Sequence, residues 1–467
     1  MLVVGIILCY LLGLSLLLLI SRKNTLAEMV GYSFLLGMGV ETLLLFLLDI
    51  INLRYSAGLL TGLNVFGIII INGLNYKNLL ALKNEYKAPA FELKQLNLVA
   101  TALFVFMAYL FYGITVKNLF WPASAHDAIG SFDKLGKVMA IEGKLKISLF
   151  DYKLEGAGGV YPPLFHASLA YVYIFGAETG KIVTSLFFLS LLTSFYSVLR
   201  VYVDATAAAL FTLLLMISPE LMSHAALSLD NLPTTAYVGP GALATFAWLD
   251  KRDRKYFWLG AILTGFAVWI RSDTVVFTAA ALLVIGIDFL RSRNLKDAII
   301  YAAIIVAPFI VWALYLKFKI HFADAAKFDF SIGYNTGRMD MMMGYISAYL
   351  FGGHYRGVDG GQLYGITFIL FFVMILANLG LIYRFGARYI LLDKMYVLVF
   401  FFAAFVLYFV VFYFINEQVQ NAPLYSLMES SFKRGLFCFI PIVLFYSCTN
   451  YASSMVFEKI EKFRSAL

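Results

Sequence analysis

The chain has 467 residues, of which 62% are hydrophobic and only 14% are charged, and its formal net charge is +8 at pH 7. Soluble domains are about half apolar and a quarter charged, so this composition argues against a soluble enzyme and predicts a protein embedded in a lipid bilayer. Basic loops that face anionic lipid explain the positive charge, so we expect membrane lipids and no nucleic acid as partners.

Thirteen apolar segments predict transmembrane helices, because each is long enough to cross most or all of a hydrocarbon core of roughly 30 Å. They cover residues 2–20, 28–51, 56–73, 97–117, 181–199, 205–222, 233–249, 256–271, 274–290, 298–316, 363–383, 395–415 and 435–452. Cys9, Cys438 and Cys448 lie inside these segments, so no disulfide framework or thiolate metal site is predicted. The predicted fold is an all-α, polytopic bundle of about 13 spans.

Lysine and arginine residues accumulate in alternate loops between these segments. The positive-inside rule assigns the basic loops to the cytoplasm and the other loops to the outside. The predicted outer segments are 119–163, 223–232, 317–362 and 416–434. The predicted location is therefore the inner or plasma membrane, with any site in these loops on the periplasmic or extracellular side.

Two further apolar stretches are not predicted to cross. A crossing from Tyr161 to Phe175 would move every later basic loop to the wrong side, so this stretch is predicted as a helix in the outer interface or dipping partly into the membrane. The cytoplasmic loop 75–96 is rich in leucine and lysine and is predicted as an amphipathic anchor.

The longest polar interruption, residues 119–163, contains His126-Asp127 and ends in Tyr161-Pro162-Pro163. A membrane enzyme needs such a wet region beside the lipid, whereas a protein that only transports has little need for it. A carboxylate at the membrane surface is costly unless it is solvated or paired. Asp127 is the candidate catalytic residue; the alternative is that it caps a helix that begins at Ala128.

Two polar clusters follow at later outer helix ends. Asp230, which precedes Asn231 and Pro233, is either a site residue or the start of the next helix. Arg271-Ser272-Asp273 joins two predicted spans in a short hairpin. Its arginine and aspartate either form a buried ion pair or leave the guanidinium to bind a phosphate group as a fork.

Lys433-Arg434 opens the last predicted span from the outside, where cations are unusual. An anionic ligand is one explanation, and contact with lipid headgroups is the alternative. All five histidines, His126, His166, His224, His321 and His354, fall on the predicted outer side. His126 and His166 lie beside other candidate residues and join the candidate site.

The sequence lacks the motifs of several other reaction classes. The sequence has no Gly-Lys-Ser/Thr phosphate loop, no His-Glu-x-x-His and no Gly-x-Ser-x-Gly. Nucleotide-driven and zinc-protease reactions are therefore not expected. We expect no cofactor, and no divalent metal is indicated.

The order of these motifs resembles that of the GT-C superfamily of membrane glycosyltransferases, in the branch related to protein O-mannosyltransferases and lipid A aminoarabinose transferases. The resemblance covers roughly residues 97–450. Its matching pieces are His126-Asp127-Ala128 through Lys134 and Lys137, Tyr161-Pro162-Pro163-Leu164, Asp230-x-x-Pro233, Arg271-Ser272-Asp273, and Arg434 with Pro441.

The resemblance implies a GT-C fold with outer juxtamembrane helices in the first large loop. It also implies an inverting transfer of a sugar from a polyprenyl-phosphate donor to a hydroxyl of a glycan, lipid or protein acceptor. In such families an aspartate at the start of the first large outer loop is the general base, and Asp127 matches that position. The implied substrate-binding residues are His126, Lys137, Tyr161, His166, Asp230, Arg271, Asp273, Lys433 and Arg434.

The implied division of the chain has three parts. Residues 1–96 form a three-span N-terminal extension with its cytoplasmic loop. Residues 97–452 form the catalytic region, with outer loops 119–180 and 317–362, the latter a candidate lid. Residues 453–467 form a cytoplasmic tail.

The sequence also departs from the family pattern, because Ala128 follows Asp127 where many relatives have a second carboxylate. Two alternatives to the transferase stay open. One is a glycan polymerase or ligase of the O-antigen type, which would depend on Arg and His in a late outer loop. The other is a lipid or solute transporter, which would need charges inside the membrane.

Overall fold

The computed structural model describes residues 1–76, 97–145, 161–320, 328–385 and 394–466. Most of the predicted cytoplasmic anchor 75–96, and the first large loop between 146 and 160, lie outside the described residues. His321 also lies outside them. The remaining predicted elements and candidate residues are described.

The fold consists almost wholly of helices. In chain order the α-helices are α1 Leu2–Ile20, α2 Leu26–Ile50, α3 Ala57–Leu74, α4 Leu98–Phe120, α5 Asp133–Glu142, α6 Leu164–Ile174, α7 Ile182–Leu199, α8 Ala205–Met216, α9 Pro219–His224, α10 Asn231–Lys251, α11 Arg254–Val268, α12 Val275–Ser292, α13 Leu295–Tyr315, α14 Thr336–Phe351, α15 Gly360–Tyr364, α16 Thr367–Phe385, α17 Met395–Tyr413, α18 Glu417–Gln420, α19 Leu424–Leu427, α20 Lys433–Gly435, α21 Ile440–Thr449 and α22 Tyr451–Ala466. A two-residue hairpin pairs β1 His354–Tyr355 with β2 Val358–Asp359.

Ten helical segments among the described residues are long and apolar enough to cross a membrane. They confirm that the protein is an all-α bundle and an integral membrane protein. Three further helices, α8, α10 and α11, lie at predicted spans but are shorter or more polar than the ten. The count of 13 spans and the GT-C type stay predictions.

The two ends of the bundle can be told apart by side-chain contacts between helix ends. At one end, Lys255 binds Glu28 at 2.8 Å and Lys394 binds Asp250 at 2.8 Å. We call this end the basic face. At the other end, Tyr315 donates to Asp49 at 2.6 Å, and the first large loop packs there; we call it the loop face. The assignment of the basic face to the cytoplasm stays a prediction.

Helix α2 is the centre of the N-terminal region and is itself deeply packed. Thr25 and Glu28 form a capping box at its start, which satisfies two backbone N–H groups of the first turn. It passes α1 at very short range, because a Cβ on Gly13 or Gly37 would lie about 2 Å from a backbone oxygen of the other helix. Small residues allow such close approach between membrane helices.

The first three predicted spans are thus continuous with the remainder of the bundle. The hydroxyl of Tyr237 in α10 donates to the carbonyl of Leu35 in α2 at 2.7 Å, and the rings of Phe46 and Trp269 meet edge to face. By contrast, only 11% of α3 is buried. The division at residue 96 stays a prediction, but α2 packs against the helices that carry the candidate motifs.

Helix α6 begins and ends near the loop face. At its start the Leu164 amide donates to the Trp269 carbonyl at 2.9 Å, and beyond its end Phe175 packs against Gly5 at the start of α1. Tyr171 also donates to the carbonyl of Gly5 at 2.8 Å. A helix of 11 residues that returns to the same face agrees with the predicted non-crossing helix, although protein covers nearly all of it.

The candidate lid, 317–362, is packed against the loop face where it is described. Arg338 is bound by Glu417 and by the carbonyl oxygens of Tyr413 and Ile415. Tyr349 of α14 donates to the carbonyl of Met428 at 2.9 Å. These contacts place the segment directly over residues 424–435; its movement as a lid stays a prediction.

Candidate active site

Asp127 lies seven residues after the end of α4 and directly before a π-helical turn, Ala128–Phe132. Its side chain makes no capping hydrogen bond with that turn. Instead, Oδ2 accepts from Nη1 of Arg434 at 2.5 Å, and the two side chains keep 39% and 30% of their exposure. The capping alternative therefore does not describe this carboxylate, which is held by a cation yet open to solvent.

Arg434 is presented by a second π-helical turn, Met428–Phe432, which immediately precedes α20. Turns of this kind are rare and occur frequently at functional sites, because they redirect a few side chains without ending the helix. Here one such turn follows Asp127 and another precedes Arg434. The two residues that meet across 307 positions of sequence are thus each set by a local departure from α-helical geometry.

The second cluster centres on Arg271, between α11 and α12. Nε and Nη2 donate to the two carboxylate oxygens of Asp273 at 3.0 and 2.7 Å. Nη1 donates to Asp230 at 3.2 Å and to the side-chain oxygen of Asn231 at 3.0 Å. The predicted ion-pair alternative is therefore realised, and Asp230 points to Arg271 rather than capping α10.

These contacts occupy most of the Arg271 guanidinium. Of its five N–H groups, one on Nε, one on Nη2 and both on Nη1 are engaged, which leaves one Nη2 N–H. Within the described residues Arg434 donates one hydrogen bond, to Asp127, so four of its N–H groups have no partner there. Arg434 has the greater capacity for a new anion.

Asp230 and Asn231 beside Arg271 are buried, whereas Asp273 keeps 30% of its side-chain exposure. Burial raises the pKa of the Asp230 carboxyl, and the Arg271 guanidinium opposes that effect. The pKa of Arg271 is raised well above its ordinary value because Asp230 and Asp273 outweigh its loss of solvent. Tyr161 lies with its ring 5.7 Å from the guanidinium carbon, and burial raises its pKa to about 12.

A narrow cleft lies between the two arginines, and its accessible space of about 10 Å³ is close to that of one water molecule. Its walls come from α10, α12, α17 and the segment before α21. The lining residues are Asn231, Thr234, Arg271, Asp273, Thr274, Phe277, Tyr408, Arg434, Gly435 and Cys438. Asn231 is 3% exposed and its amide nitrogen has no partner among the described residues, so the cleft offers an unused donor beside both guanidinium groups.

Lys433 faces away from the cleft and binds Glu220 of α9 at 2.6 Å. His224, at the end of α9, packs edge to face on Phe437 with 4.7 Å between ring centroids. Its pKa is lowered to about 3 by burial and by the nearby cations Arg434 and Lys433. The imidazole is therefore neutral at physiological pH beside the Asp127–Arg434 pair.

The other sequence-predicted residues are not brought to the cleft. The His126 side chain is fully exposed, with Nδ1 3.7 Å from Oδ1 of Asp127. His166 is buried behind Phe132, where desolvation lowers its pKa to about 4. Lys137 lines a different groove. Of the predicted residues, Asp127 and Arg434 come together, as do Tyr161, Asp230, Arg271 and Asp273.

Sequence reasoning did not select Glu220, His224 or Asn231 as site residues. His224 had one usable signal, its place on the predicted outer side. Asn231 directly follows the selected Asp230, and nothing distinguished it from a helix-start residue. Glu220 has no local motif at all, because only the fold brings it to Lys433.

Among the residues that the structure describes, no group of three or more His, Cys, Asp or Glu side chains has the geometry to hold a metal ion. Asp230 and Asp273 are each engaged by Arg271, and Asp127 is engaged by Arg434. These three carboxylates are therefore arranged around guanidinium groups.

Comparison of this chain with protein-family models, with curated proteins and with solved structures found no match in any of the three. The GT-C resemblance therefore rests on the sequence motifs and stays a prediction.

Proposed function

We propose that the protein is a membrane glycosyltransferase that moves a sugar from a polyprenyl-phosphate donor to an acceptor hydroxyl at the loop face, on the extracytoplasmic side. The observation that carries the proposal is the position of Arg434. One guanidinium group contacts the candidate base, Asp127, and also lines the cleft that contains Arg271. A base and an anion-binding group are thus adjacent, as transfer from a phosphate ester requires.

The proposed step forms one bond and breaks one. The acceptor oxygen attacks the anomeric carbon on the face opposite the phosphate, and the bond between that carbon and the phosphate oxygen breaks. The electron pair leaves with the polyprenyl phosphate, and the hydroxyl proton goes to a carboxylate oxygen of Asp127. The configuration at the anomeric carbon inverts.

Arg434 has two tasks in this scheme. Its bond to Oδ2 fixes the orientation of the Asp127 carboxylate, and its remaining N–H groups can bind the phosphate oxygens. Preorganised cations stabilise charge that develops on a leaving group. Arg271 contributes one further N–H and a positive charge that is largely matched by Asp230 and Asp273.

The test uses purified protein in lipid nanodiscs and a panel of radiolabelled polyprenyl-phosphate sugars. Wild type should bind one donor saturably, and Asp127→Asn should bind it with similar affinity. Arg434→Ala should bind it more weakly. Arg356→Ala is the matched control, because Arg356 lies at the exposed tip of the β hairpin on the same face. Equal donor binding by Arg434→Ala and Arg356→Ala would refute the assignment of Arg434, and binding of no donor would refute the proposed class.

A transporter is the second candidate, and one observation favours it. Glu41 lies in the interior of α2 with no exposed surface, and neither carboxylate oxygen makes a well-formed hydrogen bond among the described residues. Asn64 of α3 and Tyr171 of α6 approach it. Ionisable side chains inside a membrane are costly and commonly mark transport pathways. Loss of substrate flux in Glu41→Gln, with flux intact in Asp127→Asn, would favour this function over the transferase.

The polymerase alternative receives no such support. Arg338 is enclosed by Glu417 and three backbone carbonyls, and His354 forms a pair with Asp359 within the hairpin. These residues of the late outer loop stabilise the loop itself.

A further inference from the structure

A second cavity lies on the loop face and shares no lining residue with the cleft between Arg271 and Arg434. It is an open groove with about 680 Å³ of empty space, formed where the start of α3 meets α5 and the end of α6. Its lining residues are Tyr55, Ser56, Ala57, Lys137, Ala140, Ile141, Tyr173, Ile174 and Ala177. The transferase step described above does not use this groove.

The groove lies at the depth of lipid headgroups. Helix α3 runs from Ala57 to Leu74 and is one of the ten candidate spans, and only 11% of its residues are buried by protein. Its 18 residues extend about 27 Å, close to the thickness of a hydrocarbon core. Ala57 therefore lies at the boundary between hydrocarbon and headgroups, and Tyr173 beside it is a residue type enriched at that boundary.

The polar part of the groove is cationic. Lys137 contributes an ammonium group 5.9 Å from the centre of the Tyr173 ring. Ser56 caps α3 by accepting from the Leu59 amide at 3.2 Å, and the other first-turn amides favour anions. Asp133 is the carboxylate that faces Lys137 from the same helix, and its oxygens accept from the Tyr173 hydroxyl at 2.8 and 2.9 Å.

The remainder of the groove is apolar. Ala140, Ile141, Ile174 and Ala177 continue from the cationic end, and Ile141 is 76% exposed. A free anion would leave this surface in water, and a hydrocarbon chain alone would leave Asp133 of its own helix as the carboxylate facing the ammonium group. A molecule with a phosphate group and a hydrocarbon chain matches both parts.

We propose that this groove binds a phospholipid of the surrounding leaflet, with the phosphate at Lys137 and the start of α3 and an acyl chain along the apolar residues. The bound lipid would join α3 to α5, the helix that follows Asp127 and its π-helical turn. The proposal does not depend on the transferase function, because a lipid can occupy the groove whatever reaction the cleft supports.

The experiment measures saturable labelling of the purified protein in detergent by a photoreactive phosphatidic acid, followed by mapping of the labelled peptides. We expect labelling on α5 near Ile141 and at the end of α6 near Ala177. Lys137→Gln should lower the apparent affinity about fivefold, the effect of one surface lysine on an anionic lipid. Lys134→Gln is the matched control, since Lys134 is an exposed lysine of the same helix that does not line the groove.

Two further measurements separate the possible occupants. Ala177→Trp fills the groove without changing its charge and should also reduce labelling. Unlabelled phosphatidic acid should compete, whereas diacylglycerol and inorganic phosphate should not. Equal labelling of Lys137→Gln and Lys134→Gln would overturn the proposal. Competition by inorganic phosphate would assign the site to a free anion, and competition by diacylglycerol would assign it to the hydrocarbon chain alone; either result also overturns it.

Discussion

The ion pairs at the two ends of the bundle differ in how their charges are matched and in how many neighbouring hydrogen-bonding atoms have a partner. At the basic face, four cations match four carboxylates: Arg252 with Asp288, Arg254 with Asp297, Lys255 with Glu28, and Lys394 with Asp250. In the candidate-site cluster at the loop face, the cations Arg271, Lys433 and Arg434 contact the carboxylates Asp127, Asp230, Asp273 and Glu220.

The comparison indicates that the basic-face charges join helices, whereas the loop-face charges can bind a ligand. The basic-face pairs tie α11 to α2 and α13, and tie the end of α10 to α12 and α17. Among the described residues, the loop-face cluster has buried polar atoms without a partner within or beside a cleft, including Nδ2 of Asn231 and Oδ2 of Asp230. Buried polar groups normally have partners, so unused ones at a cleft point to a ligand.

The sharpest test of this comparison is Asp127→Asn. If Asp127 is the base, transfer should fall by about 10²–10⁴-fold, the usual contribution of a positioned general base. The unfolding temperature should change little, because the pair with Arg434 is over a third exposed at Asp127 and such pairs contribute little to stability. Initial rates with the donor that the binding panel selects measure the effect. Asp340→Asn, at an exposed aspartate of the same face, should retain wild-type rates.

Lys255→Met at the basic face, by contrast, should lower the stability of the protein. Lys255 is 10% exposed and Glu28 is 2% exposed, so the substitution leaves a buried carboxylate without its cation. Breaking a buried pair in this way costs about 3–5 kcal/mol of the free energy of unfolding. Thermal unfolding in detergent measures the loss. Lys296→Met, at an exposed lysine of the same face, is the control and should be nearly neutral. A stable Lys255→Met protein would contradict a structural role for the pair.

Arg434→Ala should weaken binding of the donor. Removal of a charge-assisted hydrogen bond to a phosphate costs about 1.5–3 kcal/mol, so donor affinity should fall by about 10- to 100-fold. Arg271→Lys should weaken donor binding less, because most of its N–H groups already bind Asp230, Asp273 and Asn231. Equilibrium binding of the labelled donor checks both values, and a larger loss in Arg271→Lys would reverse the assigned roles.

The last prediction concerns the pH dependence of stability. The pKa of His224 is lowered to about 3, and that of His166 to about 4, whereas an unfolded histidine titrates near 6.5. Both therefore favour the folded state above about pH 6.5, and that contribution is lost as the pH falls toward 4 and then 3. Each can remove at most about 1.4 kcal/mol per pH unit.

Unfolding temperatures measured between pH 7 and pH 4 test this prediction. His224→Gln should flatten the decline, whereas His354→Gln should not, because the His354 side chain is 76% exposed. An unchanged slope in His224→Gln would show that another group controls the acid sensitivity.

The sequence predicted the class of fold because bilayer-spanning helices have a simple requirement. A long apolar segment satisfies its own backbone hydrogen bonds and fits the hydrocarbon core, so composition and length indicate where it begins and ends. Helix α1 matches its prediction at both ends, and α2, α3 and α17 match within two residues. Among the described residues, the basic side chains of Arg252, Arg254, Lys255 and Lys394 likewise meet carboxylates at one face.

Lateral packing was not predictable in the same way. Helix α2 is 72% buried and α3 only 11%, although their hydropathies are 1.9 and 1.8. In a membrane, lipid is as apolar as the side chains, so hydrophobicity does not select which face of a helix meets protein. The face of α2 that meets protein is determined instead by close backbone contacts at Gly13 and Gly37 and by polar contacts at Glu28 and Asp49.

The sequence by itself determined the solvent, the apolar segments, the side on which basic residues collect, and a short set of polar candidates that included Asp127, Arg271 and Arg434. Only the tertiary structure decided that Asp127 meets Arg434 across 307 residues, that Arg271 is largely occupied by Asp230 and Asp273, and that Lys433 turns to Glu220. The physical reason is that transfer to lipid is a property of each segment, whereas pairing depends on which helix ends become neighbours.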